Sequence, residues 1–145
     1  MASLQDLDVL GRERSLELLQ RVTVGRLIFT EHALPAVRPA DFRWWRGDVV
    51  IRIADRAILA AASGNRVVAF EADELNADSH CGWSVTIVGH AQLITEVPDL
   101  IELSGLFSRP QAGARRDYFV RIQTEKVTGR RLWPNGNDRP GEFSD

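Results

Sequence analysis

Two arginines on neighbouring predicted strands, Arg38 and Arg52, are the side chains of this sequence best suited to binding a ligand. Residues 24–53 read as three successive strands, 24–30, 34–42 and 48–54, and each arginine lies mid-way along its strand. A buried charge is costly unless it is paired, and a guanidinium binds phosphate or carboxylate through two parallel hydrogen bonds. The pattern therefore predicts a sheet face that holds an anion, such as a phosphate.

Four tryptophans form the second chemical feature: Trp44 and Trp45 at a predicted turn, Trp83 at the start of a strand, and Trp133 near the chain end. One interpretation is packing in the core or at an interface, since indole rings bury large apolar surfaces. The other is a flat apolar pocket for an aromatic ring system. Together with anion-binding arginines on a β-barrel, such a pocket suits a nucleotide-like cofactor such as a flavin.

The remaining reactive side chains do not form a recognisable site. His32, His80 and His90 are scattered, and Cys81 adjoins only one of them, so no tetrahedral metal set is indicated. No spacing rule ties Cys81 to a histidine as a nucleophile. Neither a G-x-G-x-x-G nor a G-x-x-x-x-G-K-[ST] motif occurs, which argues against Rossmann and P-loop sites.

Composition limits the class of protein. A chain of 145 residues predicts one domain, at 1–133, followed by a polar tail at 134–145 rich in Gly, Pro, Asn and Asp. The single cysteine, the polar N-terminal segment and the lack of an apolar run of ~20 residues predict a cytoplasmic protein with no membrane span. A net charge of −2 gives no support for nucleic-acid binding.

The predicted elements around the three strands are short. Helices are expected at 12–21, 55–63 and 98–107; Ser15 is an alternative N-cap of the first, and Asp55 is the expected N-cap of the second. Further strands are expected at 66–72, 82–95 and 117–124, and residues 126–133 either extend the last strand or add another. Gly89 predicts a bend or bulge, and Pro35 and Pro39 predict an edge or bulged second strand.

Six or seven short strands with few helices predict a mainly β (α+β) fold, with antiparallel pairing in a barrel or a sandwich. The ordered series of segments across residues 16–132 resembles the pyridoxamine 5′-phosphate oxidase-like, FMN-binding split-barrel proteins. The most specific strings are V-G-R-L at 24–27 and G-W-S-V-x-x-x-G-x-A at 82–91. The resemblance implies a six-stranded antiparallel split barrel with short flanking helices that forms a homodimer, with FMN sites at the dimer interface.

The resemblance also implies a set of cofactor-binding positions. Arg38 would face the FMN phosphate or ring, with Pro39 and Ala40 beside the isoalloxazine, and Arg52 is retained on the third strand. The phosphate-binding turn of the family corresponds to Ile53, Arg56, Ile58 and Leu59, where isoleucines replace a threonine and a lysine and cannot donate hydrogen bonds. Trp83 and Ser84 would complete the site from the partner subunit. Trp133 and Arg139 would contribute as a C-terminal W-x-x-x-x-x-R.

Two functions follow from these observations. The first is a flavin-dependent oxidoreductase in which FMN does the redox chemistry and the protein binds and orients it. The second is a split-barrel dimer that has lost FMN and either binds another ligand, such as a deazaflavin, haem or a nucleotide, or acts as a non-catalytic binding protein. In the second case, Arg38 and Arg52 are expected to pair with carboxylates such as Asp41, Asp55 or Glu71.

Overall fold

A computed structural model describes residues 6–107 and 117–133. Among these residues the chain forms eight strands and three helices, with the following bounds: β1 (Asp6–Leu10), α1 (Arg12–Leu19), β2 (Val24–Glu31), β3 (Leu34–Trp45), β4 (Asp48–Ile53), α2 (Arg56–Ala62), β5 (Arg66–Leu75), β6 (Gly82–Leu93), α3 (Val97–Phe107), β7 (Tyr118–Ile122) and β8 (Lys126–Trp133). The predicted tail at 134–145, with Arg139, lies outside the described residues.

Strands β2 to β7 close into a six-stranded antiparallel barrel, which confirms the predicted fold. The order around the barrel is β6-β5-β2-β3-β4-β7, and β7 returns to β6. The closing contact is short, because β6 pairs with β7 only at residues 91–93 and with β8 at residues 82–88. One edge of the long strand β6 therefore pairs with β7 of the barrel along one stretch and with β8, outside the barrel, along the other. The barrel is split between these two stretches.

Residues 126–133 form a separate strand rather than an extension of β7, and β1 pairs with β8 along its whole length. The sequence patterns did not predict β1, because two of its five residues are aspartates. Its partner strand, rather than its own composition, explains why it is extended.

Gly89 lies where β6 changes its pairing partner from β8 to β7. A Cβ added there would come within 1.7 Å of the backbone oxygen of Gln123, so only glycine fits without a backbone shift. The pairing of β6 with β5 keeps a constant register through Gly89, so the structure shows no bulge between these strands there; Gly89 lies instead where the other edge of β6 changes its neighbour.

The prolines of β3 mark its exposed edge. Residues 34–41 pair with β2 and residues 42–45 pair with β4, so no residue of β3 pairs with two of the described strands. Pro35 and Pro39 occupy the half whose only described strand neighbour is β2, where a missing N–H group breaks no second ladder. The edge-strand prediction is confirmed for that half.

Strand β4 is buried on both faces. Val49, Ile51 and Ile53 point into the barrel core, whereas Val50 lies in a second cluster beneath α3. The second cluster also contains Trp45, whose indole Nε1 donates to the Glu102 carboxylate at 2.8 Å. The two clusters explain why β4 has an almost continuously apolar sequence.

The helices differ slightly from their predicted bounds. Helix α1 begins after Gly11, and Ser15 is not its N-cap; the Ser15 hydroxyl donates to the Gly11 carbonyl oxygen at 2.7 Å and is buried against β8. Asp55 caps α2 as expected. Within the described chain, no helix combines the length and apolar character needed to cross a bilayer.

Candidate functional site

A cavity opens where β3 and β4 separate. The last residues paired between these strands are Phe42 and Ile51, and beyond them the two backbones diverge. The cavity has a volume of about 170 Å³ and is lined by residues of β2, β3, β4 and α2: Leu27, Arg38, Pro39, Ala40, Arg52, Ile53, Ala54, Asp55 and Ile58. Six of the twelve predicted site residues therefore meet in one place: Arg38, Pro39, Ala40, Arg52, Ile53 and Ile58.

Arg38 is the accessible cation of this cavity, with 46% of its side chain exposed. Its Nη1 donates to the Val37 carbonyl oxygen at 2.9 Å, and its Nη2 lies 3.9 Å from the Glu31 carboxylate. An exposed ion pair at that distance contributes roughly 0–1 kcal/mol. The guanidinium can therefore move to an incoming anion at little cost.

Arg52 is held in place by the chain itself. Its side chain is 8% exposed and donates to Asp41 at 2.6 Å, with Asp117 at 3.8 Å and the Phe107 ring centroid 5.3 Å away. Removing either carboxylate would leave a buried charge less well compensated. Pairing with Asp41 is the arrangement expected if Arg52 does not hold a ligand phosphate.

The turn between β4 and α2 presents a carboxylate to the site. Oδ1 of Asp55 accepts hydrogen bonds from the backbone N–H groups of Ala57 at 2.8 Å and Ile58 at 3.4 Å. These N–H groups at the start of a helix are the ones a phosphate would otherwise use. The Asp55 carboxylate thus already accepts the hydrogen bonds of these N–H groups. Its negative charge would also repel a phosphate bound at this turn.

The other residues of this turn add apolar surface. Ile53 is 4% exposed, and Ile58 and Leu59 pack against the barrel core. Arg56 is exposed on the first turn of α2 and does not line the cavity. The structure therefore places aliphatic side chains where the family pattern has a hydroxyl and an ammonium.

Trp83 and Ser84 lie apart from the cavity in this protomer. Trp83 is 1% exposed, and its indole Nε1 donates to Glu74 at 3.0 Å. The Ser84 hydroxyl donates to Glu71 at 2.9 Å. Trp45 is likewise buried beneath α3, so both tryptophans agree with the packing interpretation. The side chain of Trp133 lies outside the described residues.

Ser84 belongs to a charged cluster on the outer face of the sheet. Arg26 donates to Glu71 at 2.7 Å and to Asp73 at 3.2 Å. Burial raises the pKa of the Glu71 carboxyl, and the neighbouring Asp73 raises it further, whereas Ser84 and Arg26 oppose that shift. The internal partners of this cluster account for its polar groups without a ligand.

Leu27, Ala54 and Asp55 line the cavity but were absent from the predicted cofactor-binding residues; Asp55 was expected as a helix N-cap or as a carboxylate partner of an arginine. Leu27 lies directly opposite Arg38 in the β2–β3 ladder. The register of a hairpin with a two-residue turn would have placed it there. Ala54 follows the last residue of β4, where the sequence carries no comparable signal.

The chemistry of the cavity suits a flat, apolar ring with a negative charge at one edge. Aliphatic side chains of Leu27, Ile53 and Ile58 border it, and Arg38 supplies an accessible positive charge. Pockets for small molecules typically measure ~300–1,000 Å³, so a cavity of about 170 Å³ can enclose only part of such a ligand. A further wall is needed to cover the rest.

Comparisons with known proteins agree with this fold. The sequence profile of the pyridoxamine 5′-phosphate oxidase family matches residues 11–131. The uncharacterised protein Rv0080 of Mycobacterium tuberculosis is 34% identical over 128 residues, which cover 85% of this chain and 84% of the relative.

Two solved structures are similar over nearly the same region. A Corynebacterium glutamicum protein, provisionally named pyridoxamine 5′-phosphate oxidase, is 26% identical with a TM-score of 0.76, covering 88% of this chain and 99% of that one. The FAD binding protein of Mycobacterium smegmatis is 28% identical with a TM-score of 0.75, covering 87% and 98%. The family profile and the mycobacterial relative together establish that this chain belongs to the pyridoxamine 5′-phosphate oxidase family.

Proposed function

We propose that this protein binds a flavin nucleotide in the cavity between β3 and β4 and acts as a flavin-dependent oxidoreductase. The observation that carries the proposal is the convergence of Arg38, Pro39 and Ala40 with aliphatic walls in one cavity. A relative that is 28% identical is an FAD binding protein, and the sequence resemblance favours FMN. We therefore propose that the protein binds the flavin ring, and FMN and FAD are the two forms of the cofactor to compare.

The residues of the cavity fit the ring half of a flavin. Pro39 and Ala40 have short, rigid side chains that allow a planar ring to lie close to β3, and Ile53 and Ile58 exclude water from the β4 side. Arg38 would stabilise negative charge on the ring edge or on a phosphate. A bound flavin supplies the hydride transfer, whereas the protein supplies binding and orientation.

The phosphate half does not fit the turn that the family uses. Asp55 occupies the N–H groups of α2, and Ile53 and Ile58 offer no donors. Among the described residues, Arg38 lines the cavity and the exposed Arg56 follows the lining residue Asp55 in sequence. We infer that these two arginines, rather than the α2 turn, meet the phosphate.

A second copy of the chain would supply the missing wall. The cavity is too small to enclose a flavin, and residues 34–41 of β3 leave one edge unpaired among the described strands. A homodimer with this edge toward the partner would cover the ring from the other side, and the half-buried Ser84 is a candidate for that contact, whereas Trp83 is buried within its own chain. The buried free thiol of Cys81 fits a reducing cytoplasm.

The visible spectrum of the purified protein tests the proposal. We expect the protein as isolated to show a flavin absorption band. If it is colourless, we expect it to bind FMN or FAD saturably at micromolar concentration, measured by the quenching of flavin fluorescence. Size-exclusion chromatography with light scattering should give twice the chain mass. A colourless protein that binds neither flavin at 100-fold excess over the protein would overturn the proposal.

A flavin-free binding protein is the second candidate. The specific observation that favours it is the internal compensation of Arg52 by Asp41 and of the α2 N–H groups by Asp55. In that case the cavity takes a different flat ligand, such as a deazaflavin or haem. Binding of either of these in place of FMN and FAD, measured by the same titration, would favour this candidate.

A further inference from the structure

A second cavity lies on the neighbouring face of α2. It has a volume of about 390 Å³ and runs between the β2–β3 turn and the helix, lined by Thr30, Glu31, His32, Ala57, Ala60, Ala61 and Arg66. We call it the α2 groove. Its volume falls within the ~300–1,000 Å³ of typical small-molecule sites, whereas the first cavity does not reach this range.

We propose that the α2 groove holds the adenylyl half of a flavin dinucleotide whose ring lies in the first cavity. This inference rests on the flavin binding proposed above and extends it to a second subsite. It predicts that FAD, rather than FMN, is the form that the protein prefers.

The lining of the groove matches a purine. Methyl groups of Ala57, Ala60 and Ala61 provide an apolar surface without long side chains. Arg66 is exposed at the other wall, and a planar guanidinium can stack on an aromatic ring or bind a phosphate. An adenine ring can therefore lie between the helix and an arginine.

The β2–β3 turn gives the groove a fixed rim. His32 and Ala33 both have positive φ values, of 52° and 63°, as in the tight turns that join two antiparallel strands. Thr30 and the His32 ring then offer hydrogen-bonding groups on a rigid hairpin. These groups suit the polar edge of a base or the hydroxyls of a ribose.

The two cavities share a wall. Ala57 lines the groove and its neighbour Ile58 lines the first cavity. Leu27 borders the first cavity, and Glu31, four residues further along the same face of β2, borders the groove; four residues of a strand span about 13 Å. A ribityl diphosphate linker is long enough to join the two sites.

The charges along this path favour a diphosphate. Arg38 lies in the first cavity, Arg56 on the first turn of α2, and Arg66 in the groove. Glu31, 3.9 Å from Arg38, and Asp55 are the carboxylates beside the same path. Three cations against two carboxylates leave a net positive charge there, although Asp55 already accepts from the Ala57 and Ile58 N–H groups of the α2 turn and Glu31 itself lines the groove.

The test compares the affinities of FMN and FAD for the purified full-length protein by isothermal titration calorimetry. We expect FAD to bind at least tenfold more tightly than FMN. Arg66→Ala removes the stacking cation, and Ala60→Glu fills the groove and repels a phosphate; each should weaken FAD binding about tenfold and leave FMN binding within twofold. Ser104→Glu, on an exposed position of α3, is the matched control and should change neither affinity.

The outcomes separate the two proposals. Equal affinities for FMN and FAD, or an unchanged preference in both groove variants, would overturn the α2 groove as a subsite while leaving flavin binding intact. Failure of the protein to bind either flavin would overturn flavin binding and the groove assignment together. A loss of FMN and FAD affinity to the same extent in Ala60→Glu would indicate a disturbed helix rather than a subsite, and would also count against the groove.

Discussion

The Arg52 guanidinium donates to the Asp41 carboxylate at 2.6 Å, one residue beyond the last strand pair between β3 and β4. The ion pair therefore joins the two strands at the point where their backbones separate. It determines where the cavity begins, and it makes Arg52 a structural residue first. The accessible cation of the site is Arg38.

Replacement of Asp41 by asparagine should destabilise the fold. The change removes the short ion pair of the Arg52 guanidinium, whose side chain is 8% exposed, whereas the Asp117 carboxylate lies further away, at 3.8 Å. A lost charge-assisted hydrogen bond costs about 2 kcal/mol, measurable as a lower urea midpoint. Glu17→Gln, which breaks an exposed pair with Arg14, should cost less than about 0.5 kcal/mol. Equal effects of the two changes would contradict the structural role of Arg52.

Replacement of Arg38 by alanine should weaken flavin binding without destabilising the fold. Its side chain is 46% exposed and its ion pair with Glu31 is long, so little stability depends on it. Loss of one charge-assisted contact of ~1.5–3 kcal/mol corresponds to at least a tenfold weaker Kd. Arg12→Ala, at an exposed position of α1, is the control. An unchanged Kd for Arg38→Ala would remove this residue from the site.

Introduction of lysine at Ile58 should strengthen FMN binding. The side chain lines the cavity at the position where the family has a phosphate-binding lysine. An ammonium there can meet the phosphate directly, so we expect at least a tenfold lower Kd for FMN. Ile58→Met keeps the volume without the charge and should leave the Kd unchanged. If both variants bind alike, the phosphate lies away from this turn.

Glu125 should make stability depend on pH in the acid range. The His90 ring and the His90 backbone N–H hydrogen-bond its carboxylate and lower its pKa. A lowered folded-state pKa stabilises the folded protein above the unfolded pKa of about 4.3, and the contribution is lost as the pH falls through the folded value. The Tm difference between wild type and Glu125→Gln should therefore be full above about pH 5 and shrink toward pH 3. A constant difference across this range would contradict the assignment.

Gly89→Ala should be among the most damaging small substitutions. The added methyl would lie 1.7 Å from the Gln123 backbone oxygen, so the strand must shift at the split of the barrel. We expect a loss of about 3 kcal/mol in the free energy of unfolding. Gly105→Ala, in α3 with no atom within 4 Å of the new methyl, should instead stabilise by about 0.5–1 kcal/mol. Similar effects at both sites would show that packing at Gly89 is looser than described.

Local patterns predicted most of the barrel. Strand periodicity placed β2 to β7 within a few residues, and the prolines correctly marked the exposed half of β3. The resemblance directed attention to Arg38, Pro39 and Ala40, which do line one cavity. Asp55 was recognisable as an N-cap, because its effect is local to the first turn of α2.

The features that depend on distant partners were not predictable in the same way. The pairing of Arg52 with Asp41 required the register of β3 against β4, and two other carboxylates were equally plausible from sequence. Strand β1 is extended because β8 pairs with it. From sequence, the tryptophans indicated either a ring-binding surface or packing in the core. The burial of Trp45 and Trp83 favours packing for these two residues.

The pairing of β1 with β8 has a consequence for synthesis in the cell. It joins Asp6 to Trp133, residues 127 positions apart in sequence, and β6 cannot acquire its partners β7 and β8 before those strands exist. Contacts so far apart in sequence are slow to form, because the intervening chain must first be brought together. A nascent chain therefore cannot close its barrel before β7 has been synthesised, and the β1–β8 pair must form later still.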